Sequence, residues 1–170
     1  MNCTPTGRPA APWCSGTLLA GTPDARKSTL AYAREVELQQ RGLRTYLLDG
    51  DYVRDGRNRD LGLTEADRVK NIRRLAEVAL LTADAGLVVL TAFISPYARD
   101  RAMAREIVAP KRCVEVYLQT PLQVCKARDV KGLYRKARSG QTPCMTCIQS
   151  PYEAPENPDM RLSGSGGSPR

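Results

Sequence analysis

Histidine is absent from the 170 residues. No histidine general base, Cys-His or Ser-His nucleophile pair, or histidine metal ligand is available, so acid–base work falls to carboxylates or lysine. Aromatic side chains are scarce, at 5% of the chain, and no lysine/arginine block is long enough to form a nucleic-acid arm. Long apolar runs are also missing. MNCTPTGRPAAPWCSG has no apolar core of secretory-signal length, and no later stretch has the length of a membrane span. These absences predict a cytoplasmic protein with no nucleic-acid partner and no membrane association.

An apolar fraction of 42% and a charged fraction of 26% fit one globular domain large enough to bury a substantial core. The formal charge of +8 points to anionic partners, and phosphorylated small molecules suit it better than nucleic acid. Six cysteines without a secretory signal read as reduced thiols.

Gly16 to Leu30 reads GTLLAGTPDARKSTL. An apolar run meets Gly21, a loop, then Lys27-Ser28-Thr29 and a helix-forming stretch. This is the layout of the phosphate-binding rule G-x-x-x-x-G-K-[ST]. Loop N–H groups and a helix N-terminus offer partial positive charge, lysine adds a full charge, and the hydroxyl reaches Mg²⁺. Gly21, Lys27 and Ser28 keep the required spacing. Arg26 replaces the second glycine, Pro23 removes an N–H, and Asp24 adds a carboxylate where phosphate oxygens would collect.

Beyond this segment the chain alternates. Ser28 to Arg41 reads as a helix with Leu30, Ala33, Val36 and Leu38 as its apolar stripe, stopped by Gly42. Arg44 to Leu48 is a short strand ending in the turn Asp49-Gly50-Asp51. Thr64-Glu65-Ala66-Asp67 resembles a capping box and opens a long helix to Ala85, with Ile72, Leu75, Val78, Ala79 and Thr82 on one face. Leu87 to Phe93 is a strand covered on both faces, Ala98 to Val108 a helix, and Cys113 to Leu118 a strand. Thr120-Pro121 starts a further helix with proline at its first position. The pattern predicts right-handed βαβ units in a three-layer α/β fold with a central, mainly parallel sheet. Residues 1–15 read as a flexible leader and 163–170 (SGSGGSPR) as a flexible tail. Lys126 to Arg138 is strongly basic, either a solvated helix face or a lid closing over phosphates.

Asp49 and Asp51, two apart at a strand's C-terminal end, suit Mg²⁺ binding or proton acceptance from a hydroxyl. Arg54 lies close by, and Arg68 and Asn71 are one turn apart on the long helix, offering groups for phosphate, sulfate or purine.

The segments LLDGDYVRDGRNRDLGLTEADRVKNIRR, GLVVLTAFISPY, TPLQVCKARDVKGLYRKARSG and SPYEAPENPD resemble the adenylylsulfate kinases, in order, from about Gly16 to Leu162. The resemblance implies a P-loop kinase domain over 16–162. It implies phosphorylation of the 3′-hydroxyl of adenylylsulfate by ATP with Mg²⁺, in sulfate assimilation or activation, and homodimers are common in the family. Carried over, Gly21, Arg26, Lys27, Ser28, Thr29 and Arg128 would meet ATP, with Ser28 and Asp49 at the metal. Asp51 would orient or deprotonate the hydroxyl. Arg54, Arg68, Asn71, Ile94, Ser95, Pro96 and Lys131 would hold adenylylsulfate.

The departures cluster at the site. The family loop is close to G-L-S-G-S-G-K-S-T, against Gly21-Thr-Pro-Asp-Ala-Arg-Lys-Ser-Thr29 here. Tyr52 stands for an asparagine, Leu63 for a phenylalanine, and Met145 for an aromatic expected to stack on adenine. The chain is expected to stop before the last strand or helix of its relatives. Two rival readings follow: a catalytically silent nucleotide-binding module, and a kinase retargeted to another hydroxyl. Cys144-x-x-Cys147 reads as two free thiols, half a zinc site or a redox pair.

Overall fold

The computed structural model describes residues 16–56, 58–62, 64–109, 113–130, 132–141, 145–148 and 150–164, and for 51, 54 and 55 the backbone only. The expectations for residues 1–15, Leu63, Lys131, Cys144 and the tail beyond Gly164 therefore lie outside the described residues.

Five strands form one parallel sheet in the order β2-β3-β1-β4-β5. They are β1 (Gly16–Ala20), β2 (Thr45–Asp49), β3 (Val88–Ala92), β4 (Cys113–Gln119) and β5 (Met160–Ser163). The helices are α1 (Lys27–Gln40), α2 (Gly50–Asp55), α3 (Glu65–Asp84), α4 (Ala98–Val108), α5 (Leu122–Arg128) and α6 (Leu133–Arg138). The chain leaves β1 for β2 and β3 on one side and crosses to β4 and β5 on the other. β1 is thus the switch point, where an open α/β sheet leaves a crevice at its strand ends.

Alternation along the strands divides the core. Leu47 faces a cluster that includes Leu19, Val116, Leu118, Cys125 and Tyr134, while Leu48 faces one built from Ile72, Leu75, Val89, Phe93 and Ala104. α3 forms because its apolar residues recur at helical spacing, with Ile72, Leu75, Ala76, Ala79 and Ala83 buried. Its start is the expected cap: the Asp67 N–H donates to Thr64 Oγ1 at 3.2 Å, and the Thr64 hydroxyl donates to Asp67 Oδ2 at 2.7 Å.

Four local expectations change. In α1 Ala33 and Val36 are exposed, and the buried positions are Lys27, Ala31 and Leu38, because the helix turns its N-terminal lysine into the crevice. Gly50 and Asp51 begin α2 rather than an open turn. Pro121 is the N-cap of α5 instead of its first residue. The sheet does gain a last strand: β5 pairs with β4 from Val116–Met160 to Gln119–Ser163. The basic stretch divides into α5 and α6 around Gly132 (φ 63°), with Tyr134 and Ala137 buried and Arg135, Lys136 and Arg138 exposed. No helix among the described residues is long and apolar enough to cross a membrane.

Candidate functional site

β1 carries buried Leu18, Leu19 and Ala20 straight into Gly21. A Cβ at Gly21 would lie 3.2 Å from the Leu118 carbonyl oxygen and 3.3 Å from Ala25 Cβ, so the tight exit from the sheet requires glycine. The following turn is closed by the Ala25 N–H on the Thr22 carbonyl at 3.2 Å. Asp24 (φ 56°) and Arg26 (φ 66°) are both left-handed. Besides Gly21, these are the positions that align with glycine in the G-L-S-G-S-G-K-S-T pattern, and here an aspartate and an arginine hold the left-handed backbone that glycine adopts at least cost. For a non-glycine residue that conformation costs about 1–2 kcal/mol.

Arg26 caps α1 without a side-chain hydrogen bond, and the first turn of α1 has no acidic residue, which leaves its N-terminus suited to an anion. The Lys27 ammonium is buried and donates to the carbonyls of Gly21 (3.0 Å) and Thr22 (2.7 Å). The Ser28 hydroxyl donates to Asp49 Oδ2 at 2.5 Å, joining the start of α1 to the end of β2.

These groups line a cavity of about 400 Å³ that also takes in Arg68, Asn71, Ser95 and Arg128. Arg68 is buried and donates to Thr146 Oγ1 at 2.6 Å. Asn71 Oδ1 accepts from the Asn58 amide at 2.7 Å. The wall formed by Ile94, Ser95 and Pro96 is fixed from behind: Arg101 donates to the Ser95 carbonyl at 2.7 Å, and the Glu153 N–H to the Pro96 carbonyl at 2.8 Å. The buried Ser95 hydroxyl has no hydrogen-bond partner among the described residues. Arg128 gives one guanidinium nitrogen to the Gly164 carbonyl at 2.8 Å, and the other is buried without a partner among the described residues. Buried polar groups are normally paired, so orphans on a cavity wall point to a ligand or water.

Of the residues singled out by sequence, Arg26, Lys27, Ser28, Thr29, Asp49, Arg68, Asn71, Ile94, Ser95, Pro96 and Arg128 line this one cavity. Gly21 is joined to it through Lys27. Asp51 and Arg54 sit on α2 directly after Asp49, with their side chains outside the described residues, as is Lys131.

Several participants were not legible. Thr146 holds Arg68 across 78 positions of sequence, Asn58 holds Asn71, and the fully buried Tyr134 donates to the Pro23 carbonyl of the loop at 3.2 Å. No local pattern marks Thr146 or Tyr134, because their partners come from distant elements. Arg68 and Asn71 were legible from their spacing, one turn apart, and their chemistry, and both are buried on α3.

Among the described residues around the cavity, the thiols form no disulfide. Cys125 is buried with its sulfur 3.4 Å from Thr22 Oγ1, and Cys147 is a free, half-buried thiol in a turn. Burial, reinforced by nearby Cys125, pushes the Cys147 thiol above its ordinary value. Among the described residues no group of three or more cysteine or acidic side chains is placed to hold a metal ion.

The profile of the family described as adenylylsulphate kinase matches residues 14–163. Among curated proteins, the bifunctional enzyme NodQ of Rhizobium tropici is 51% identical over 162 residues, covering 95% of this chain and 25% of that protein. The chain thus spans about a quarter of the length of the curated relatives it matches. Among solved structures, the APS kinase CysC of Mycobacterium tuberculosis, in complex with AMPPNP and APS, superposes with a TM-score of 0.88. It is 45% identical, and the match covers 92% of each chain. The hexameric APS kinase from Thiobacillus denitrificans superposes with a TM-score of 0.61 at 26% identity, over 88% of this chain and 25% of that one.

Proposed function

The chain belongs to the adenylylsulfate kinase family, and on that premise we propose that it transfers the γ-phosphate of ATP to the 3′-hydroxyl of adenylylsulfate, giving 3′-phosphoadenylylsulfate and ADP. The observation that carries this reading is the single cavity shared by Lys27, Ser28 and Asp49 with Arg68, Asn71 and Ser95. A phosphate loop and a polar acceptor pocket opening into one space are what direct transfer between two bound nucleotides requires.

The residues present suit Mg²⁺. Ser28 Oγ and Asp49 Oδ2 are adjacent oxygen donors beside a phosphate loop. This ion is commonly held by one or two protein oxygens together with substrate phosphates and water, so a larger protein cage is not needed. When bound, it neutralises charge on the β- and γ-phosphate oxygens.

The chain's own groups supply the rest. Lys27 exchanges the Gly21 and Thr22 carbonyls for phosphate oxygens, and the first N–H groups of α1 donate to the same negatively charged oxygens. Arg128 brings its unpartnered nitrogen to the phosphates, and Lys131, three residues on in the same basic stretch, serves adenylylsulfate as the lid closes. Asp51 takes the proton of the 3′-hydroxyl as the new oxygen–phosphorus bond forms and ADP departs with the electrons of the broken one. Arg68, Asn71 and Arg54 hold the charged end of adenylylsulfate, while Ile94 and Pro96 pack against its purine.

The deciding experiment measures ADP release from Mg-ATP with and without adenylylsulfate. It compares the native chain with a loop-repaired Pro23→Ser/Asp24→Gly/Arg26→Gly variant. Stimulation by adenylylsulfate in the native chain supports the kinase. Silence in the native chain with activity after repair favours a second reading, a nucleotide-binding module with an intact acceptor pocket. The left-handed Asp24 and Arg26 are the observation behind that alternative.

A further inference from the structure

A chain of hydrogen bonds of fixed polarity runs from the surface to the cavity. Asp60 accepts two bonds from Arg74, at 2.9 and 3.0 Å. Arg74 Nη1 also donates to Asn58 Oδ1 at 3.2 Å. Asn58, fully buried between α2 and α3, donates through Nδ2 to Asn71 Oδ1 at 2.7 Å. The backbone of Asn58 is pinned at the same time, its N–H on the Val53 carbonyl at 2.9 Å and its carbonyl accepting from the Leu61 N–H at 3.0 Å.

The direction of every link follows from the first. A guanidinium has donors and no acceptor, so the Asn58 oxygen must face Arg74 and its NH₂ must face Asn71. Asn71 must then turn its oxygen to Asn58, which leaves its own NH₂ for the cavity it lines. A reversed Asn58 would set an NH₂ against the guanidinium and an oxygen against the Asn71 oxygen, leaving buried groups unpaired on both sides.

We propose that Asn58 is a positioning residue for the acceptor pocket: it fixes which end of the Asn71 amide is presented, so that the pocket offers a donor to an anionic nucleotide. This rests on the reading of the cavity as the adenylylsulfate site. The Asn58 side chain does not touch the ligand in this account; it acts through Asn71.

The test is Asn58→Asp, nearly isosteric. A carboxylate still accepts from Arg74, but its second oxygen also needs a donor, so Asn71 must turn its NH₂ inward and present oxygen to the anion. Calorimetry with adenylylsulfate should show a loss of about tenfold or more in affinity, with the thermal midpoint and Mg-ATP affinity close to native. Asn71→Ala should weaken binding on its own, and adding Asn58→Asp to it should cost nothing further, because residues acting as one unit are not additive. Arg74→Gln, at a partly exposed position, removes the fixed polarity while leaving Asn58 in place. It should give an intermediate loss, and it carries the same cycle if Asn58→Asp does not fold.

Native-like affinity in Asn58→Asp, or a loss that persists in full in the Asn71→Ala background, overturns the proposal. A native chain that binds adenylylsulfate without turning it over defeats the kinase reading alone, since the coupling is still measured by binding. A native chain that does not bind it overturns both.

Discussion

The Tyr134 hydroxyl donates to the Pro23 carbonyl across 3.2 Å, so the basic arm of the fold is tied to the phosphate loop through one buried phenol. Burial pushes the Tyr134 hydroxyl well above its ordinary value, which keeps it protonated and donating at any working pH. The bond couples α6 to a loop in which Asp24 and Arg26 hold left-handed backbone positions.

Tyr134→Phe keeps the ring in the core and deletes only this bond. A hydrogen bond of this kind contributes about 1 kcal/mol net. For a chain of this size that is a fall of roughly 2–4 °C in Tm. The functional signature is a raised KM for ATP with little change in KM for adenylylsulfate, because the contact is to the phosphate loop and not to α3. An equal rise in both constants would contradict this local role.

Arg26→Gly tests the strain in the loop. Relief of a left-handed arginine returns about 1–2 kcal/mol, and the greater freedom of glycine in the unfolded chain takes back roughly half. The expected outcome is a Tm a degree or more above native. ATP affinity measured on the same protein then separates two roles. A tighter loop means Arg26 only obstructs, whereas weaker binding in a more stable protein means its guanidinium contacts the phosphates.

The fold was legible because its signals are local. The Thr64 cap, the apolar period of α3 and the run Leu87 to Phe93 each follow from a few neighbouring residues. Three-layer α/β architecture then follows from alternation. The candidate site was legible where chemistry and sequence distance coincide, as in Lys27-Ser28 and Asp49. The contacts that orient those groups were not. Thr146 reaches Arg68 and Tyr134 reaches Pro23 only after the sheet has assembled. Residue pattern also could not say that Asp24 and Arg26 keep a glycine-like backbone. That outcome is decided by packing: Ala25 between them is fully buried and holds the turn in place.

Thr146→Val removes the Thr146 hydroxyl that accepts from Arg68, at constant volume. A hydrogen bond to a charged group is worth about 1.5–3 kcal/mol, and here the guanidinium is buried. KM for adenylylsulfate is expected to rise by about tenfold, the lower end of that range in binding terms. Thr146→Ser should restore most of the loss. Failure of serine to rescue would mean that Thr146 packs the wall and does not orient Arg68.

The last prediction concerns acid. Asp159 accepts from the Glu115 N–H at 2.8 Å and from Arg105 Nη1 at 2.9 Å. First the backbone N–H of Glu115 and then Arg105 hold its carboxyl below the ordinary 3.8. A carboxylate depressed in the folded state adds stability above its unfolded value, and that stability is lost as pH falls through the folded value. The affected window therefore lies below about pH 4. Asp159 is partly exposed, so its pairing with Arg105 is a small, salt-sensitive contribution of at most about 1 kcal/mol. Its reach is longer than its energy. Arg105 also pairs with Glu115, Glu115 pairs with buried Arg101 at 3.1 Å, and Arg101 donates to the Ser95 carbonyl on the cavity wall. In a Tm series from pH 6 to pH 3, Asp159→Asn should start below native and converge with it at the acid end. Parallel curves across the whole range would show that Asp159 does not titrate against this network.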